Sequence, residues 1–174
     1  MGWTPEVHPL VDLARLAVET WVAEGQEIPS RALPEGLPER AGAFVTIRAR
    51  GELRGCIGTI EPVMPTLAAE VIRNAIAAAV DDSRFAPVER RELPMLSYTV
   101  YVLNPPEPVA GIADLDPSRY GVVVQSGRRR GLLLPAIEGV DTAEAQVEIA
   151  RRKARIPPQS PVELYRFSAV EYGK

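Results

Sequence analysis

The chain predicts an α+β fold, with mainly antiparallel sheets, flanking helices and two lobes. Three observations lead there. Short runs of β-branched and aromatic residues alternate around turn dipeptides, as hairpins do. Longer stretches carry apolar residues at the three- and four-residue spacing of a helix face. The order hairpin, helix, strand also occurs twice, which points to a duplicated unit with lobes of roughly 1–105 and 106–174 inside one domain covering residues 1–174.

The elements follow in order. Leu10, Leu13, Ala14, Ala17, Val18 and Trp21 form one face of a helix over 9–23, with Pro9 in its first turn and Gly25 as its stop. His8 just precedes it, and a lone histidine there is more often a cap than a base. Residues 26–42 carry Pro29, Pro34, Pro38, Gly36 and Gly42, too many breakers for a regular element. This stiff loop reads either as the rim of a pocket or as a plain connector. A hairpin follows, with strands over 44–49 and 53–60 around Arg50-Gly51. A second, strongly apolar helix spans 66–80, and a strand spans 98–103. In the second half, strands over 120–125 and 130–134 flank Ser126-Gly127. Asp141-Thr142-Ala143-Glu144 reads as a capping box for a helix to about Ala154, and residues 162–170 read as one final strand. Arg54-Gly55 and Arg130-Gly131 stand 76 residues apart, as do Thr66 and Thr142.

Composition narrows the function classes. With 174 residues, 46% hydrophobic and 25% charged, the chain can bury a core of ordinary globular type. A net charge of −3 argues against a general nucleic-acid coat. No apolar run approaches the ~20 residues of a membrane span. The opening Met1-Gly2-Trp3-Thr4-Pro5-Glu6 lacks the basic start and apolar core of a secretory signal, and Glu6 stands where a myristoylation signal requires Ser or Thr. The single cysteine cannot form an internal disulfide, so the expectation is a cytoplasmic protein with a reduced thiol.

That cysteine sits in Leu53-Arg54-Gly55-Cys56-Ile57-Gly58-Thr59, closed by Glu61-Pro62. A regular strand places Arg54, Cys56 and Gly58 on one face and Leu53, Gly55, Ile57 and Thr59 on the other. An arginine about 7 Å along the same face favours a thiolate, the nucleophilic form. Glycines beside the thiol clear room for a ligand or another backbone. The alternative is that Cys56 is a small buried apolar residue and the glycines serve packing. From the residues alone the two readings stand level. The only histidine is His8, so a papain-like Cys–His pair is not expected. One Cys and one His do not make a closed zinc site, there is no Cys-x-x-Cys, and the usual nucleotide fingerprints are absent. Which cofactor, if any, the protein uses is left open by the residues. Glu61, Asp82 and Arg84 are candidate companions if the second helix packs back on its hairpin. Otherwise Asp82-Ser83 is an ordinary turn after a helix. Arg128, Arg129 and Arg130 form a basic turn, and Arg151, Arg152, Lys153 and Arg155 a basic helix end. Both read first as solvated features and second as an anion or RNA contact.

The string Leu-Arg-Gly-Cys-Ile-Gly-Thr resembles the signature of the AMMECR-one family. Asp82-Ser83-Arg84-Phe85 with Pro87-Val88 and Glu92-Leu93-Pro94 is similar to its second motif. Tyr120-Gly121-Val122 and Arg130-Gly131-Leu132-Leu133-Leu134-Pro135 resemble its third block, and Lys153-Ala154 with Leu164-Tyr165-Arg166-Phe167 its tail. Arg155 stands where many relatives carry glycine. The resemblance implies a two-lobed α+β fold with the signature on a strand near an inter-lobe groove. It also implies a shared site that draws on Arg54, Gly55, Cys56, Gly58, Thr59, Asp82 and Arg84, in a family whose activity is open. Prokaryotic members look linked with a Memo-type protein and a radical-SAM protein.

The expectation is therefore an enzyme or accessory subunit of a modification pathway. Cys56 would act as nucleophile or redox thiol, and Arg54 would orient an anion or favour the thiolate. Glu61 or Asp82 would handle protons, and Gly55, Gly58, Thr59, Arg84 and Arg130 would line the binding site, with no metal. The alternative is a non-catalytic module for a protein partner or RNA.

Overall fold

The computed structural model describes residues 7–173. They fall into two compact units, one running to Leu103 and resuming at Val170, the other spanning Asn104–Ala169.

In the first unit, helix α1 (Pro9–Glu24) begins at His8, whose Nδ1 accepts the Leu10 N–H at 3.2 Å. The histidine is thus a cap, and partial burial lowers its pKa. Gly25 ends the helix in the left-handed conformation, φ 67°. Strands β1 (Ala43–Ala49) and β2 (Glu52–Gly58) form the expected hairpin. Arg50 and Gly51, at φ 51° and 85°, make its turn, since both central residues of a tight hairpin turn take positive φ. Helix α2 (Leu67–Val80) is capped by the Thr66 hydroxyl, which accepts the Ala69 N–H. A short 3₁₀ segment, Arg90–Met95, leads into β3 (Leu96–Leu103).

In the second unit, a short strand β4 (Glu107–Val109) precedes the hairpin of β5 (Gly121–Ser126) and β6 (Arg129–Leu133). Helix α3 (Ala143–Lys153) and β7 (Glu163–Phe167) follow. Three details depart from the sequence reading. The cap of α3 is the Thr142 hydroxyl, accepting the Ala145 N–H, so Asp141 and Glu144 do not form the box. The final strand is two strands, because β8 (Ala169–Tyr172) leaves the second sheet at Ser168 and lies beside β3. Strand β4 and the 3₁₀ turns were not visible in a pattern search, being only three to six residues long.

Both sheets use one strand order. The first runs β2-β1-β3-β8 and the second β4-β7-β5-β6, so each has hairpin partner, hairpin first strand and third strand side by side. The fourth strand of each sheet follows, in the chain, the third strand of the other. The repeated threonines, Thr66 and Thr142, are both helix caps with 3.1 Å bonds. The repeated glycines are both points of close helix–strand approach. A Cβ on Gly55 would lie 2.0 Å from the Ala78 carbonyl oxygen, and one on Gly131 would lie 2.2 Å from that of Ala150.

The core of the first unit lies between its sheet and α1 and α2. Val45, Ile47, Tyr98 and Val100 face Leu13, Ala17, Val71 and Ala75. The smaller core of the second unit sets Val122, Val124 and Leu133 against Val147 and Ala150. Arg155 takes φ 56° just past α3, where glycine is usual, and its carbonyl accepts a hydrogen bond from the Arg129 side chain.

Gly55→Ala is expected to destabilise the fold by about 2–3 kcal/mol, since helix backbone must retreat to admit a methyl. Gly111→Ala, with extended backbone and open space, is expected to change nothing. Urea midpoints of the two variants check this.

Candidate functional site

Strand β2 is not regular through the signature. Ile47 pairs with Gly55 but Arg48 pairs with Leu53, so Arg54 is the extra residue of a β-bulge. The bulge moves Leu53 to the face of Cys56, where the sequence reading had put it on the Gly55 face. Gly55 and Ile57 keep the core face. The opposite face carries Cys56 across from Thr46, and Gly58 across from Phe44, whose ring lies where a Gly58 side chain would stand.

The bulge gives Arg54 a different partner from the thiol. Its Nε and Nη2 donate to Glu92 at 2.9 and 3.2 Å, a bidentate pair, and its Nη1 is buried without a hydrogen-bond partner. Glu92 also accepts the Glu89 N–H at 2.7 Å. Its pKa is lowered, first by the Arg54 bond and then by this backbone donor.

The end of α2 comes to the signature. The Cys56 N–H donates to Asp82 Oδ2 at 3.0 Å. Asp82 also accepts from the Arg84 N–H, Nε and Nη2 at 3.1, 3.0 and 2.8 Å. The post-helix turn and the companion role are thus one structure. The Arg84 bond, followed by the backbone donors, holds Asp82 down at about 2 against the opposing effect of burial. With four accepted bonds and that pKa, Asp82 has no capacity to trade protons near neutrality. It is a positioning group. The pKa of Arg84 is pushed up, mainly by Asp82 and to a smaller degree by Cys56. The Arg84 and Arg54 guanidinium carbons lie 5.4 and 6.0 Å from the centroid of the Phe85 ring.

Cys56 itself is a half-buried free cysteine. Its sulfur lies 3.1 Å from the Thr46 hydroxyl. Thr59 is turned into a buried network instead of toward a ligand. It donates to Glu70 at 2.5 Å and accepts from Asn74 at 3.2 Å. Glu70, fully buried, also accepts the Val63 and Met64 N–H groups and so ties down the loop after β2. Glu61 is exposed in that loop. Arg130 is exposed on β6, in the second unit. In the basic segments, Arg129 donates to the Arg155 carbonyl and Arg151 to those of Pro157 and Ser160, so part of that charge is structural. The proline-rich segment lines a shallow cavity of about 210 Å³ with the first turn of α2, and none of the predicted site residues borders it.

Sequence reasoning missed four residues here. Thr46 was reachable by pairing the hairpin strands, and Glu92 lay within a recognised motif. Glu70 and Asn74 are polar residues four apart, on the same face of a mostly apolar helix, which signals buried partners. Among the described residues no group of three His, Cys, Asp or Glu side chains could hold a metal ion, and no helix is long and apolar enough to cross a membrane.

The AMMECR1 family model matches residues 11–172. The chain belongs to the AMMECR1 family. It is 52% identical to a protein of Thermotoga maritima over 169 residues, 95% of this chain and 97% of that one. It is 42% identical to a protein of Clostridium acetobutylicum, covering 96% of this chain but 36% of the other. The crystal structure of the uncharacterised protein PH0010 from Pyrococcus horikoshii is similar with a TM-score of 0.83 and 35% identity, covering 93% of this chain and 88% of that one. These AMMECR1 relatives confirm the α+β architecture and carry no stated activity.

Two outcomes follow from the site chemistry. Asp82 is depressed in the folded state, so its stabilisation is full above pH 4 and is lost as pH falls toward 2. Asp82→Asn should lower stability at pH 7 by about 1–2 kcal/mol, allowing for screening at the half-exposed Arg84, and flatten the acid limb between pH 4 and 2. Glu70→Ala should cost about 3 kcal/mol by orphaning the Val63 and Met64 amides and the Thr59 hydroxyl. Urea unfolding at pH 7 and across pH 2–5 measures both.

Proposed function

We propose that this AMMECR1 protein is a thiol-dependent component of a modification pathway, as enzyme or accessory subunit, with Cys56 as its reactive group. The observation that carries this reading is the bond from the Cys56 amide to Asp82. A buried carboxylate, itself neutralised by Arg84, holds the backbone of the one cysteine while leaving its side chain half-exposed. Arg54, held by Glu92, keeps one guanidinium nitrogen for an anionic group. Asp82 positions and does not exchange protons, and any proton transfer falls to another group or to water.

The pathway reading extends to partners: a Memo-type protein and a radical-SAM protein, in the reducing cytoplasm, where a free thiol persists. The second reading, a non-catalytic module for a protein partner or RNA, leaves Cys56 inert. One experiment separates them. Iodoacetamide should label Cys56 in the folded protein, with a rate that climbs with pH as the thiolate forms. Labelling seen only after urea unfolding would remove the reactive-thiol reading and leave the binding module.

A further inference from the structure

The face of the first sheet that turns away from α1 and α2 carries a polar row across three strands. Cys56 on β2 stands opposite Thr46 on β1, and Thr46 stands opposite Thr99 on β3. The row is flanked by Gly58, Phe44 and Tyr101 on one side and by Leu53, Arg48 and Ser97 on the other. Thr46 is 4% exposed and Thr99 6%. Among the described residues, the Thr46 hydroxyl has the Cys56 sulfur as its single hydrogen-bond partner, at 3.1 Å.

A buried hydroxyl needs a good partner, because leaving it unpaired costs free energy. A neutral thiol is a weak acceptor and a weak donor, whereas a thiolate is a charged acceptor that the hydroxyl can serve fully. Valine would fill a central β-strand position as well as threonine does. The hydroxyl is therefore the feature to be explained. We propose that Thr46 is the positioning residue of the Cys56 thiolate. Its hydroxyl donates to the sulfur, favours the charged form and fixes the sulfur's direction. This rests on the reactive-thiol reading above and adds the group that tunes it.

Other charged and titratable groups come from the elements around this row. Arg84 and Arg54 come from the turn after α2 and from β2 itself, and Asp82 holds the Cys56 amide. Arg48 lies one row along on β1. Tyr101 on β3 senses Cys56, and its phenol pKa is raised chiefly by burial and then by Glu171 on β8. None of these is altered by removing the Thr46 hydroxyl.

The test is the pH–rate profile of iodoacetamide alkylation of the full chain, read for wild type, Thr46→Val and Thr46→Ser, with folding checked by circular dichroism. Thr46→Ala replaces the valine variant should valine disturb the packing. Loss of the hydroxyl is expected to move the profile midpoint up by about one pH unit, so that the rate at pH 7 falls roughly tenfold, and serine is expected to restore it. A wild type that labels while folded, with a valine or alanine profile superimposable on it, overturns the role of Thr46 and leaves the reactive thiol standing. A wild type that labels only when unfolded overturns both.

Discussion

The structure around the signature depends on one close approach. At Gly55 the backbone of β2 meets the Ala78 carbonyl of α2 with no side chain between them. Any larger residue would lift the helix from the strand. With the helix seated, its C-terminal turn reaches the sheet edge, and Asp82 meets the Cys56 amide at 3.0 Å. At the other end of the helix, Glu70 and Asn74 grip Thr59 and the loop beyond it. The signature strand is thus held by the helix and its following turn at Gly55 and Cys56, and just past its end at Thr59. Gly55 and Thr59 serve this scaffold, and Cys56 is the member left facing outward.

The second unit shows what the scaffold is without the chemistry. Gly131 meets Ala150, and Thr142 caps α3 as Thr66 caps α2. Gln146 is buried at the helix position that corresponds to Glu70, and its amide donates to the Tyr120 carbonyl. Where the first unit has Cys56, the second has Leu132 after its Arg-Gly pair. The shared glycine and cap residues therefore belong to folding, and the residues that differ between the units mark the site.

The bulge at Arg54 is the second device. An extra residue in an edge strand turns its side chain out of the regular alternation. Here that places Arg54 on Glu92, while Arg84 is held by Asp82. The two arginines keep separate carboxylates and come within 6.0 Å of the same phenyl ring. The positive charge at the site is thus largely neutralised in place, and what remains directional is the set of hydrogen bonds.

The sequence by itself determined the α+β class, the hairpins, the three helices and the doubled order of elements. These rest on local periodicity, turn residues and caps, which neighbouring residues settle among themselves. It also singled out Cys56, Asp82 and Arg84, through residue type and family resemblance. Only the tertiary structure decided how they meet. Whether α2 brings Asp82 to the cysteine depends on packing direction, which apolar periodicity does not encode. The bulge at Arg54 is a matter of register between two strands, invisible to alternation along one. The division of residues 162–170 between two sheets and the capture of Thr59 by Glu70 are long-range pairings of the same kind. Composition shows that a buried Glu70 needs donors, and the fold alone shows which ones it finds.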